Sequence, residues 1–460
     1  MKTEASQYTH KTAVLLITSI AAFLTPFMAS SINIALPSIG KEFSVDAVVL
    51  SWVATSFLLA AAVFLIPFGR IADIYGRKKI FISGAAVFLI ASVIAALSWS
   101  CTVLLIARVI QGIGGAMIFG TGTAIITSVF PLGERGRAMG ITIALTYLGL
   151  SLGPFAGGFM TQYLGWRSLF WFNTLICLLL ISVTLWRLRA EWADARGEKF
   201  DLAGSIIYGI GLIAVMYGFS ELPEWFGFAS LAAGIIIILV FLWWEDRIES
   251  PVLDVALFVQ NRVFAFSNLA AFINYSATFA VGFLLSLYLQ YIRALPPSNA
   301  GLVLVAMPAI QAIFSPLTGR LSDRIEPRIL ASSGMALTTS GLLLLIFING
   351  DTQLWYIILS LIILGAGFAL FSSPNINAVM SSVDKKSLGV ASATLSTMRL
   401  TGQMFSLGVA MLLIALYMGH VQVTPEYFPQ FIQSLQVAFV VFTLLCFGGI
   451  FASLARGKSR

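Results

Sequence analysis

Fourteen apolar runs, each long enough to cross a bilayer, constrain this chain more than any other feature. They lie at about 13–36, 49–68, 80–98, 102–126, 138–162, 168–186, 203–220, 226–244, 263–289, 298–318, 329–348, 353–378, 388–418 and 431–455. A spanning helix needs about 20 such residues. In hydrocarbon the backbone has to satisfy its own hydrogen bonds, so these runs read as helices. Only 10% of residues are charged, against roughly 25% in a soluble domain. The first run lacks the cleavage pattern of a signal peptide and is expected to be a retained helix.

The charges between the runs test this count. With the N-terminus placed in the cytoplasm, 22 of the 27 Lys and Arg fall in inside loops and tails. Outside loops hold only Lys41, Arg167 and Arg293, and Arg108 and Arg399 remain within spans. Cytoplasmic loops collect Lys and Arg, and one missed span would invert every later loop. The expectation is a multi-pass protein of the cell (plasma) membrane with both termini cytoplasmic. The net charge of +7 is then a matter of topology. No basic run stands beside aromatic platforms for single strands, so no nucleic-acid partner is expected.

The chain also repeats. Gly69-Arg70-Ile71-Ala72-Asp73 follows the second run, and Gly319-Arg320-Leu321-Ser322-Asp323 follows the tenth, 250 residues later. Each continues into further basic residues, Arg77, Lys78 and Lys79 in the first copy. If each turn follows the second helix of its half, the halves are spans 1–6 and 9–14. Spans 7 and 8 are then an insert between charged linkers. The expected fold class is an all-α membrane protein of 14 transmembrane helices, two six-helix pseudo-repeat bundles plus two inserted helices. The boundaries fall at 1–186, 187–262 and 263–460. Two related helical halves with a path between them near the midplane is a transporter design.

Polar residues inside apolar runs are the candidates for that path. Arg108 has no carboxylate in its own span, and a charge at the bilayer centre costs at least ~3 kcal/mol on insertion scales. It is expected to face the bundle interior, with Gln111 on nearly the same face. Arg399 is the second embedded charge, with Gln403 four residues on. Asn33, Asn274 and Asn377 interrupt spans 1, 9 and 12. These seven residues are the substrate or cavity candidates. Gly69, Asp73, Arg77 and Asp323 are candidates for conformational control. In that reading Gly69 permits close helix approach and Asp73 accepts bonds from Arg77 or a helix N-terminus. Gly149, Gly153 and Gly157 recur every four residues and so share one face of span 5, with Pro154 beside them. That face is expected to form a seam between the halves.

Several of these segments resemble motifs of the major facilitator superfamily, specifically its fourteen-helix drug:proton antiporter branch. Gly69 to Lys79 is similar to the loop 2–3 signature. Leu105 to Ala116 resembles the span 4 motif around a buried Arg. Gly149 to Gly158 resembles the span 5 antiporter motif, and Ser31 to Pro37 the end of the span 1 motif. The resemblance implies a loop that latches the cytoplasmic side, and secondary transport with a coupling proton. The position at which the span 1 motif usually begins with Asp is Met28 here.

Other classes fit less well. None of the 20 Asp and Glu lies in the core of a run, so a membrane enzyme with clustered acids is not expected. No Gly-x-x-x-x-Gly-Lys-Ser/Thr loop occurs, which argues against ATP-driven transport. The three cysteines and two histidines show no metal or redox spacing, so no metal or cofactor is expected. The partners expected are a small-molecule substrate, a proton and the lipid bilayer, with the chain acting as a monomer. The leading expectation is proton-coupled export of amphipathic compounds by alternating access. The alternative is a uniporter or symporter for an organic anion or metabolite, which two embedded arginines without acids favour.

Overall fold

The computed structural model describes residues 2–457 apart from 194, 249–250, 254, 323, 384–387 and 420. Fourteen of its helices are long and apolar enough to cross a membrane. Spans 1 to 6 are Lys11–Phe43, Ala47–Tyr75, Arg77–Ala96, Cys101–Val129, Ala138–Leu164 and Arg167–Arg187. Spans 7 and 8 are Leu202–Glu221 and Trp225–Glu245. Spans 9 to 14 are Arg262–Ile292, Pro297–Ser322, Pro327–Leu345, Leu354–Ser381, Val390–Met418 and Pro425–Ala455.

Local chemistry sets where these helices begin and bend. Asp46, Ser100, Asp201 and Asn261 each accept a bond from the backbone N–H three residues on, capping spans 2, 4, 7 and 9. Span 10 is two helices, Pro297–Leu304 and Ala306–Ser322. Pro308 has no N–H to give the Leu304 carbonyl, so the ladder breaks there. Span 2 runs longer than its apolar run, so Asp73 lies in its last helical turn rather than in a loop.

The packing repeats between the halves. Span 1 lies against spans 4, 5 and 6, and span 9 against 12, 13 and 14. Span 2 packs on 4 as 10 packs on 12, and span 3 on 4 and 6 as 11 on 12 and 14. The tightest crossings repeat too. A Cβ on Gly84 would sit 3.0 Å from the Gly114 carbonyl oxygen, and one on Gly334 would sit 2.7 Å from that of Gly367. Small residues at these crossings let helix backbones approach closely. The halves meet through spans 2 and 13, 5 and 10, and 1 and 9.

The inserted spans 7 and 8 pair with each other, and span 7 bridges the halves. Tyr208 donates to the Ala62 carbonyl of span 2 at 3.2 Å. Phe219 stacks edge-on against Phe405 of span 13, with centroids 5.4 Å apart. Span 8 leaves Ile235, Ile236, Leu239 and Trp243 exposed, an outward apolar surface that suits lipid rather than water.

Candidate functional site

A cavity lies between the halves, walled by residues of both. Near the middle of the bundle it measures about 140 Å³. Asn33, Tyr147 and Pro154 line it from one half, and Tyr275, Gln311, Arg399 and Gln403 from the other. A larger space of about 270 Å³ continues from it toward the face that carries the chain ends. Ala29, Leu150, Tyr275, Phe279, Arg399 and Gln403 border both spaces, so they form one path.

Arg399 is the only charged side chain on that path among the described residues, and no Asp or Glu lines it. It forms no ion pair with another described residue; its guanidinium sits 5.2 Å from the centre of the Tyr275 ring. A cation over an aromatic face is attracted by the ring quadrupole. Gln403 follows one turn later and so stacks beneath it on the same helix face. Among the described residues, the amides of Asn33, Gln311 and Gln403 have no hydrogen-bond partner. The path is thus an apolar, aromatic channel with one positive charge and three uncommitted amides turned into it. It can take a mainly apolar molecule that carries an anionic or hydrogen-bonding group.

On the side away from the chain ends the halves are sealed. Pro37 leaves the Asn33 carbonyl without its helical donor, and the Ser286 hydroxyl of span 9 donates to it at 2.6 Å. Gln290 donates to the Ile34 carbonyl at 3.0 Å. The Ser298 backbone N–H and hydroxyl both donate to Gln162 Oε1. A Cβ on Gly301 would lie 2.1 Å from the Pro154 carbonyl oxygen, and one on Gly158 would lie 2.5 Å from that of Pro297. Deeper in, Tyr147 and Ser372 share a hydrogen bond of 3.0 Å across the path. No ion pair joins the halves among the described residues.

Of the seven cavity candidates, the structure brings together Asn33, Arg399 and Gln403. The other four line neither space. Arg108 is 1% exposed. It donates to the Val53 carbonyl at 2.9 Å and to the Gln111 amide oxygen, and lies over the Phe57 ring. Gln111 in turn donates to Ser92 at 2.9 Å. This network ties spans 2, 3 and 4 together inside one half. Asn274 is fully buried with neither amide atom bonded. Asn377 donates to Ser322 at 3.2 Å, joining spans 12 and 10. The sequence reading did not single out Gln311 or Tyr147. Gln311 carried a signal, a lone amide in the apolar run after Pro308.

Two expectations about the glycines are corrected. The face carrying Gly149, Gly153 and Gly157 packs on span 1 of its own half. There Cβ atoms would strike Phe23 O at 2.6 Å, Ser30 Oγ and Ser31 Cβ. The seam between halves lies on the adjacent row, at Pro154 and Gly158, because a one-residue step turns the helix face by about 100°. A Cβ on Gly69 would meet open space; the close approach is made by Gly120, whose Cβ would lie 3.4 Å from Gly69 N.

Arg77 bonds Asp73 at 2.8 Å and Ser128 of span 4 at 2.5 Å. The linker after span 6 then grips this turn. Glu191 accepts from the Lys78 and Lys79 backbone N–H groups, Trp192 O from Arg77 N–H, and Asp73 O from Ala195 N–H. Arg70 pairs with Glu198. Asp323 of the second copy lies outside the described residues. Met28 is fully buried and turned toward the Asn173 amide of span 6, so the position of the missing acid does not face the path.

Two six-helix halves around a shared central path define a membrane transporter. The chain belongs to the Major Facilitator Superfamily, which it matches over residues 18–244 and 268–459. Its fourteen spans are consistent with the drug:proton antiporter branch. It is 29% identical to the riboflavin transporter RibZ of Clostridioides difficile over 87% of each chain. It is 31% identical to the multidrug resistance protein Stp of Mycobacterium tuberculosis, over 86% of this chain and 74% of that one. In fold it is similar to the human organic anion transporter MFSD10 (TETRAN), with a TM-score of 0.64 over 97% of this chain and 99% of that one, at 15% identity.

Proposed function

We propose that this protein exports amphipathic compounds across the plasma membrane in exchange for protons. It acts as a monomer, with both termini in the cytoplasm. Residues 1–186 and 263–460 are the two moving bundles, and 187–262 carry the inserted pair. The observation that carries this reading is the path lined by both halves, with the bonds of Ser286, Gln290 and Ser298 sealing it on the side away from the chain ends. With the chain ends in the cytoplasm, this conformation faces inward. The similarity to a protein named for multidrug resistance supports export of amphipathic compounds.

A second reading is a uniporter or symporter for an organic anion or other small metabolite. Arg399, with no acid among the described residues of the path to trade a proton against a cation, favours it. Uptake of dyes, drugs and organic anions into proteoliposomes, with and without an imposed pH gradient, separates the two. Gradient-driven movement of lipophilic compounds is the expected result. Movement of anions alone, indifferent to the gradient, would establish the second reading instead.

A further inference from the structure

A second buried polar cluster lies at the foot of the inserted hairpin, apart from the central path. Glu245 ends span 8 at 2% exposure, the only buried Asp or Glu among the described residues. Asp201 caps the first turn of span 7. Their carboxyl groups flank the same glycine, Gly204, with an oxygen of each turned toward it. Both crowd Gly204, where a Cβ would sit 2.2 Å from Asp201 Oδ2 and 2.5 Å from Glu245 Oε1. Two ionised carboxylates only accept hydrogen bonds and repel each other, so placing them side by side with no cation paired to either among the described residues favours a proton on one of them.

The surrounding donors say where that proton resides. Asp201 Oδ1 accepts the Gly204 backbone N–H at 2.9 Å, and Oδ2 accepts the Trp244 indole N–H at 3.1 Å. Both Asp201 oxygens are therefore served as an anion would need, at a helix N-terminus that favours negative charge. Glu245 Oε2 accepts the Leu253 backbone N–H at 2.8 Å, but its buried Oε1 has no partner. An ionised Glu245 would leave that oxygen bare, at the full cost of its desolvation. A protonated Glu245 turns an O–H toward Asp201 and satisfies both. No Lys or Arg pairs with either acid among the described residues. The neighbouring Arg247 is engaged with the Trp243 ring at 4.1 Å. Glu249 and Asp254 of the same linker lie outside the described residues.

We propose that Asp201 and Glu245 form a one-proton site, with the proton held on Glu245, shared with Asp201 and released as pH rises. Release places two negative charges beside Gly204 and drives the foot of span 7 from that of span 8. It also strains the Leu253 bond, which anchors the linker into the second half. Glu245 thereby supplies a protonatable carboxyl, which the described residues of the central path lack. That role in coupling rests on the proton-exchange reading above; the site itself does not.

The test is infrared spectroscopy of the purified full chain, titrated from acidic to alkaline pH. Wild type is expected to show a protonated carboxyl C=O band at neutral pH that disappears on alkalinisation. Glu245→Gln, which mimics the protonated form in shape and bonding, is expected to lack that band at every pH. Asp201→Asn keeps the helix cap but removes the like charge, so Glu245 is expected to ionise at lower pH than in wild type. Identical carboxyl bands in wild type and Glu245→Gln, or a titration that Asp201→Asn leaves unmoved, would overturn the proposal. Transport then reads the role separately. Glu245→Gln is expected to abolish the response to a pH gradient, and a response left intact would remove the site from coupling while the infrared result stands.

Discussion

Two embedded arginines sit in different surroundings, and those surroundings set what is expected of each. Arg108 spends its donors on Val53 O and Gln111, at 1% exposure. Arg399 is half-buried on the wall of the path. Hydrogen bonds to charged groups are worth about 1.5–3 kcal/mol each. Arg108→Ala is therefore expected to destabilise the protein by about 2 kcal/mol or more, read as a lowered midpoint of unfolding in detergent. Arg399→Ala is expected to leave that midpoint nearly unchanged. Its effect appears in transport, as a KM for anionic compounds raised about tenfold, which corresponds to roughly 1.4 kcal/mol, while neutral compounds are unaffected. A rise in KM of equal size for both classes of compound would deny Arg399 a charge-reading role. The sequence marked both arginines as embedded. It did not separate them, because the partners of Arg108 include a backbone carbonyl of span 2, and carbonyls carry no sequence signature. Gln111 was visible as its neighbour on the same face; Val53 was not.

At the scale of helices, the linker after span 6 and the seam between spans 5 and 10 carry the most testable claims. Glu191 accepts two backbone N–H groups at the start of span 3, and losing a cap costs about 1 kcal/mol. Glu191→Ala is expected to lower the unfolding midpoint and to loosen the 188–201 linker, seen as faster protease cleavage there. Gly76 has φ +123 and faces Glu191 closely, so Gly76→Ala is expected to be worse than Glu191→Ala. At the seam, Gly301→Ala would press a methyl into the Pro154 carbonyl. It is expected to disfavour the sealed side, raising reactivity of a cysteine placed at Gln162 toward a membrane-impermeant thiol reagent. The number and order of the spans were legible from apolar length and basic loops. So was the four-residue glycine row, but not its partner. A periodic face announces that a helix is packed closely, and the same pattern serves span 1 or span 10 equally well. The grip of the linker on loop 2–3 was illegible for a related reason. It is made of backbone bonds and one capping acid in a segment that reads as a charged connector.

The whole molecule carries the central claim, that two bundles rock about a shared path. Every inter-half hydrogen bond noted on the sealed side, from Ser286 to Asn33 and from Ser298 to Gln162, has to break for that side to open. Span 7 touches span 2 through Tyr208 and span 13 through Phe219, so it has to slide on one of them as the halves turn. The most direct test is a pair of distances measured by electron spin resonance between labels on cysteines. One pair is Gln162→Cys with Ser298→Cys, across the seal. The other is Thr142→Cys with Ser396→Cys, across the mouth toward the chain ends. If the bundles rock, then as substrate or pH shifts the population the first distance lengthens while the second shortens. Both distances changing in the same sense, or neither changing under conditions that support transport, would contradict it.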